Sequence, residues 1–342
     1  MGALALAYAI EAHDLVKVFK GGVKALDGVC FEVEPGTVFG LLGPNGAGKT
    51  TAVRILTTIL RPDSGSARVF GYDVATEPAA VRRSIGLAGQ YAAVDENLTG
   101  LENLRMIGQL THLRRSTATG RAGELLERFE LSDAGRRPVK TYSGGMRRRL
   151  DLAAALMHKP PVLFLDEPTT GLDPYSRLEL WRVIEELTTG GSTVLLTTQY
   201  LEEADRLADH LVVVDHGRVI ASGTSAQLKA RLGTTVLDLD MGDQSRAARA
   251  LGVLGARWER EPVLNGSVVE LALDGGARMV TEALALLDSE DLVPAALAMR
   301  EPSLDDVFLT LTGHGATTGE QPAETPDTSR RGSGRRAARE AR

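Results

Sequence analysis

The sequence predicts an α/β protein: a parallel sheet covered by helices on both faces, a smaller α+β unit behind it, and a polar tail. Three observations carry that prediction. Up to about residue 230, short apolar runs alternate with stretches of helical periodicity, the order that builds a parallel sheet. After Arg231 the order becomes strand, helix, two strands joined by a tight turn, helix, strand. From Gly315 onward the apolar periodicity stops, and Thr, Gly, Pro, Glu and Arg fill the remainder.

The elements follow in order. Val38–Leu42, Val162–Leu165, Val194–Thr197 and Leu211–Val214 are apolar on both faces, as strands between two helical layers must be. A further strand falls at Ile85–Ala88. Helices are predicted over Lys49–Leu60, Arg147–His158, Arg177–Thr188 and Glu202–Ala208. Residues 99–140 are helical without a strand run, so a helical subdomain over about 99–155 is inserted into a larger domain at 5–230. In the accessory α+β domain, 231–313, TTVLDLDM precedes a helix at Gln244–Leu254. VLNGSVVELAL then turns at Asn265-Gly266, and a helix at Ala277–Asp288 leads to a last apolar segment. Glu301–Leu309 opens a helix capped by Ser303, with Leu304, Val307, Phe308 and Leu311 inward. The tail, 314–342, has no apolar side chains to offset its ordering entropy and is predicted to be disordered.

Composition excludes several classes. Apolar residues make up 43% and charged residues 25%, too apolar for a wholly disordered chain. No run reaches the about eighteen apolar residues of a membrane span. The start, MGALALAYAIEAHD, has no basic residue before its apolar stretch, which argues against a secretory signal. A single cysteine, Cys30, forms neither an internal disulfide nor a zinc site and fits a reducing cytosol. With a net charge of −6, no global positive field draws nucleic acid, and none is expected as a partner. His13, His112, His158, His210, His216 and His314 show no ligand spacing for a transition metal.

The chemistry begins at Gly43-Pro44-Asn45-Gly46-Ala47-Gly48-Lys49-Thr50, followed by Thr51, between a strand and a helix. Glycines let backbone N–H groups close around phosphate oxygens, and the helix N-terminus adds a favourable dipole. Lys49 reaches the terminal phosphates and Thr50 offers an oxygen to Mg²⁺. The strand Val162–Leu165 ends in Asp166 and Glu167; beside the phosphate loop, Asp166 would hold Mg²⁺ and Glu167 would polarise attacking water. Ser143-Gly144-Gly145 stands before a helix, a third place with free N–H groups and a hydroxyl for phosphate.

In this order, with Gly171-Leu172-Asp173 and a polar residue after Val194–Thr197, the motifs resemble those of the ATP-binding cassette (ABC) family over residues 5–230. The resemblance implies a P-loop nucleotide-binding domain that binds ATP and Mg²⁺. It also implies a head-to-tail homodimer in which Ser143, Gly144 and Gly145 meet the nucleotide held by the partner, with Asp173 across the seam. Phe19 would stack on adenine. Gln90 would bind Mg²⁺ or the attacking water, and 90–100 would face an integral membrane permease. Two departures stand out: the signature reads Tyr142 to Met146, where Leu and Gln are common, and the switch histidine is Gln199. Glutamine donates to a phosphate but carries no proton near pH 7, so Glu167 becomes the main candidate base. Both departures, with Tyr200–Asp205 and Glu301–Leu309, resemble the daunorubicin/doxorubicin-type exporter branch.

The expected protein is therefore the ATP-hydrolysing subunit of a drug exporter on the cytoplasmic face of the membrane. The rival class is a soluble ABC-type ATPase in DNA repair or translation. Such proteins carry long coiled coils, zinc modules or two cassettes, and none is present in this sequence.

Overall fold

The computed structural model describes residues 7–89, 94–232, 235–258, 261–274 and 277–312. The predicted tail, 314–342, lies outside them.

The chain opens on the hairpin β1 (Ile10–Phe19) and β2 (Val23–Val33), then enters β3 (Val38–Leu42), α1 (Lys49–Leu56), β4 (Ser64–Val69) and β5 (Tyr72–Asp73). Next come α2 (Pro78–Ser84), β6 (Ile85–Ala88), α3 (Gly100–Leu110), α4 (Arg115–Arg128) and α5 (Gly144–Ala155). β7 (Val162–Asp166), α6 (Pro174–Thr189), β8 (Thr193–Thr198), α7 (Leu201–Leu207) and β9 (His210–Asp215) follow. β10 (Arg218–Gly223) and α8 (Ser225–Ala230) lead to β11 (Thr235–Asp240), α9 (Gln244–Gly255), β12 (Val263–Asn265), β13 (Val268–Leu273), α10 (Ala277–Ser289), β14 (Ala296–Arg300) and α11 (Leu304–Thr312).

A six-stranded sheet in the order β10-β9-β3-β8-β7-β6 carries the fold, parallel from β9 to β6 with β10 as an antiparallel edge. Its side chains alternate between two cores, which is why these strands read as unbroken apolar runs. Leu163, Leu165, Val194 and Leu196 pack with Leu104, Leu125, Phe129 and Trp181 of the helices. Phe164, Leu195, Phe39 and Val212 face the other way, onto Val53 and Leu56 of α1 and Ile10, Leu15 and Val29 of the antiparallel sheet β2-β1-β4-β5. Each such fully buried side chain stabilises the fold by about 1.5–3 kcal/mol.

Hydrophobic periodicity marks no antiparallel sheet at the N-terminus, because bulges at Ala12/Leu15 and Lys17/Val18 break the alternation on which that signal depends. Three helices are shifted from expectation by three residues or more, one of them beginning at Pro174 rather than Arg177 because Asp173 caps it. The one predicted to reach Leu60 ends at Leu56, where Thr58 turns into the left-handed region at φ 64°. The one predicted from Arg147 to His158 spans Gly144–Ala155, since Ser143 caps it ahead of both glycines. Residues 99–140 hold α3, α4 and a single isolated bridge, Thr99 to Pro138.

The C-terminal strands form an antiparallel sheet in the order β12-β13-β11-β14, with α9 and α10 on one face. Its hairpin loop is Gly266-Ser267, one residue on from the expected Asn265-Gly266; Asn265 instead closes the ladder opposite Val268. α11 returns to α7 and α8, burying Leu304, Val307 and Phe308, whereas Leu311, expected inward, is 40% exposed.

Candidate functional site

In a parallel sheet all carboxyl ends open on one side, and residues that follow adjacent strands meet there. Here β3, β8 and β7 are neighbours, so the turn Gly43–Gly48, the end of β8 and the Asp166-Glu167 pair share one rim. Two glycines in that turn are sterically required. A Cβ on Gly43 would lie 2.2 Å from the Val214 carbonyl oxygen, and one on Gly48, at φ 110°, would lie 2.3 Å from that of Ala25. Gly48 is also the N-cap of α1 and supplies no side-chain cap, so the first N–H groups of the helix keep their dipole for an anion.

Lys49 is buried and donates from Nζ to the carbonyls of Gly43 at 2.7 Å and Pro44 at 3.0 Å. Glu167 Oε1 lies 3.4 Å from the same ammonium. Burial pushes the Lys49 pKa down, and the Glu167 and Asp166 charges oppose that shift. The hydroxyls of Thr50, at 3.1 Å, and Thr197, at 2.6 Å, both donate to Asp166 Oδ1. Thr197 also fixes the next residue, since the Glu167 N–H donates to its Oγ1 at 3.0 Å. Glu167 sits at φ 49°, a left-handed position that a non-glycine side chain holds only where its surroundings impose it.

The second cluster is on the surface. Ser143 is exposed and its Oγ accepts the Met146 N–H at 3.2 Å, leaving the O–H proton free to donate outward. A Cβ on Gly145 would meet Ser176 Oγ at 2.6 Å, so Ser143–Gly145 and the start of α6 lie against each other. Asp173 caps α6, accepting from the Ser176 hydroxyl at 2.6 Å and its N–H at 3.1 Å, and these two bonds hold its carboxyl below the usual range. Tyr175 beside it is 70% exposed.

The remaining candidates are spread around the rim. Thr51 follows Thr50 in α1, Gln199 is half-buried directly after β8, and Phe19 is exposed at the tip of the β1–β2 hairpin. Gln90 lies outside the described residues, as do 91–93 of the expected permease-facing segment. Three residues that sequence reasoning passed over belong to the site. Thr197 was legible only as a strand end. Arg148 was one of three arginines on a helix. Glu203 was named only within the Tyr200–Asp205 run, yet it is fully buried and accepts the Trp181 indole N–H at 2.9 Å. Burial pushes its carboxyl pKa up, against the side chains of Thr198, Trp181 and Thr169.

Residues 26–170 match the ABC transporter family. The chain is 50% identical to the daunorubicin/doxorubicin resistance ATP-binding protein DrrA of Streptomyces peucetius, over 90% of this chain and 93% of that one. It is 35% identical to the linearmycin resistance ATP-binding protein of Bacillus subtilis, over 89% of this chain and 98% of the relative. Among solved structures, the ATP-binding subunit of an ABC transporter superposes with a TM-score of 0.60 at 30% identity, covering 65% of this chain and 92% of its own. An ATP-binding cassette in its ADP conformation gives 0.59 at 28% identity, over 65% and 93%.

Proposed function

The chain belongs to the ABC transporter family as an ATP-binding subunit, and from that premise we propose that it hydrolyses MgATP at a head-to-tail homodimer seam to drive export of a hydrophobic drug-like compound. The observation that carries this is the meeting of Lys49, Thr50, Asp166 and Glu167 on one rim, with an exposed Ser143–Asp173 cluster elsewhere on the chain. Gly43, Pro44, Asn45, Gly46, Ala47, Gly48 and Thr51 would line the phosphates, with Phe19 on the adenine. Thr50 and Asp166 present hard oxygens 3.1 Å apart, a donor set that suits Mg²⁺, with Gln90 as a further candidate ligand. When bound, Mg²⁺ neutralises charge on the phosphate oxygens.

The side chains then divide the work. Lys49 binds the β/γ-phosphates, a charge-assisted contact worth about 1.5–3 kcal/mol. Glu167, 3.4 Å from that ammonium, orients the attacking water and takes its proton. Gln199 donates to the γ-phosphate. Ser143, Gly144 and Gly145 would close on the nucleotide of the other subunit, and the exposed Tyr175 would be buried with them. The domain reading is a cassette at 5–230, its helical subdomain at about 99–155, and an accessory unit at 231–313. No helix among the described residues is long and apolar enough to cross a membrane. As an ATP-binding subunit of this family, it would drive transport through a separate membrane permease, docked near 90–100, from the cytoplasmic face.

Mixing subunits tests the seam. Ser143→Arg and Lys49→Ala each abolish turnover alone, while a heterodimer of the two regains one intact composite site. Verified heterodimers with no recovered ATPase activity would overturn the trans arrangement.

A further inference from the structure

Arg148 lies on the helix that Ser143 caps, yet its guanidinium points back to the end of β7. Nε donates to the Pro168 carbonyl at 2.7 Å, and Nη2 donates to the carbonyls of Asp166 and Glu167, both at 3.2 Å. Nη1 donates to the Gly89 carbonyl at the end of β6 and lies 3.5 Å from the buried Asp151 carboxylate. Only 13% of the Arg148 side chain is exposed. In a strand, successive carbonyls point to alternate sides, so three in a row reach one cation only if the backbone leaves the β region. It does so at Glu167, whose φ is 49°. The planar fork with its five donors suits such a convergent set; an ammonium does not reproduce it.

We propose that Arg148 is a positioning residue for hydrolysis: it holds the Asp166–Pro168 backbone so that the Glu167 carboxylate stays beside Lys49, and it ties that geometry to the helix carrying Ser143. The proposal rests on the roles given above to Glu167 and Ser143. It makes the helix that meets one nucleotide the clamp on the base that serves the other. Because Arg148 touches no phosphate-binding group, its contribution lies in the rate and not in nucleotide affinity.

The test uses the full-length chain. Arg148→Lys keeps the charge and loses the fork, and is expected to lower kcat roughly 10- to 150-fold, with ATP affinity within about twofold of wild type. Arg148→Ala should regain turnover with added guanidinium ion but not with methylammonium. Mixed dimers with Lys49→Ala in one subunit leave one competent site and separate the two placements. Arg148→Lys in the subunit with intact Lys49 should cost as much as in the unmixed protein; in the Lys49→Ala subunit it should cost about twofold. Wild-type kcat for Arg148→Lys, equal losses from both placements, or a fall in ATP affinity matching the fall in kcat would each overturn the proposal. If mixed dimers with wild-type Arg148 show no turnover, it is the head-to-tail reading that fails. The ratio of kcat to ATP affinity in the unmixed variant then decides the role of Arg148.

Discussion

Arg148 in the cassette and Arg300 in the C-terminal unit are both hubs, but their partners differ in kind. Arg148 is surrounded by backbone carbonyls, with one carboxylate at 3.5 Å. Arg300, on β14, is surrounded by carboxylates: Asp238 of β11 at 2.9 Å, Glu270 of β13 at 3.2 Å, and Asp306 of α11. The electrostatics diverge accordingly. Burial lowers the Arg148 pKa, against the charges of Asp151, Asp166 and Glu203, whereas the Asp306 bond pushes that of Arg300 up. A guanidinium held by carbonyls fixes the path of a main chain; one held by carboxylates fastens separate elements together. The first kind is placed to govern geometry at a reacting centre. The second governs whether α11 stays on its sheet.

The largest effect that can break this comparison is at Glu167. Glu167→Gln removes the basicity and keeps the size, and should lower turnover about 10²- to 10⁴-fold while ATP still binds. Gln199→Ala deletes an uncharged donor and should cost roughly 2- to 150-fold, with Gln199→His largely active. In the Glu167→Gln background, Arg148→Lys should add almost nothing, since the clamp then has no base to position. Full additivity of the two, or Gln199→Ala proving the more damaging, would detach Arg148 from the chemistry.

Arg300→Met is expected to act on stability alone. It leaves three carboxylates facing one another, although a third of the Arg300 side chain is exposed and water screens part of the loss. A cost of about 1–2 kcal/mol, or a fall of roughly 2–8 °C in the unfolding midpoint, is the expected result. ATP turnover per folded subunit should stay at the wild-type value. Lost turnover at an unchanged midpoint would erase the distinction between the hubs.

The smallest effects are opposite responses to acid. His158 of the cassette donates from Nε2 to the Ile85 carbonyl at 2.9 Å, and burial holds its pKa below the usual value. The unfolded chain therefore takes up that proton first, and the stability present above about pH 6.5 is lost as the pH falls below it. Glu270 is the reverse: burial raises its carboxyl pKa, so the folded chain protonates first and stability is recovered as the pH falls toward about 4.3. Unfolding midpoints of wild type against His158→Gln should converge on acidification, then cross. Those of wild type against Glu270→Gln should shift in favour of wild type. Two responses of the same sign would contradict the assignment.

What was legible in the sequence is local. Gly43–Thr50 could be read as a phosphate loop because its glycines, its lysine and the strand and helix on either side are consecutive, whereas the Ala25 carbonyl that excludes a Cβ at Gly48 comes from a distant strand. The apolar runs announced a sheet buried on both faces, and Gly315 onward announced the end of the pattern. The antiparallel N-terminal sheet was not legible, because bulges in β1 disturb the two-residue period. Leu311 deceived for a different reason: its helical spacing is right, but α7 and α8 cover only the first turns of α11.

By itself, then, the sequence determined the buried parallel strands β3, β6, β7, β8 and β9 and named the candidates for phosphate binding and water activation. Only the tertiary structure decided which side chains meet. Thr197 reaches Asp166 because β7 and β8 are parallel neighbours in register, a pairing that depends on a crossover through α6. Arg148 reaches Glu167 because α5 packs beneath the ends of β6 and β7, and Arg300 collects its carboxylates from two strands and a helix. Periodicity reports which face of an element is buried, since burial of each side chain is additive along that element. It carries no record of which faces are buried against each other. That choice is made when the whole chain collapses and every buried polar group must find its partner.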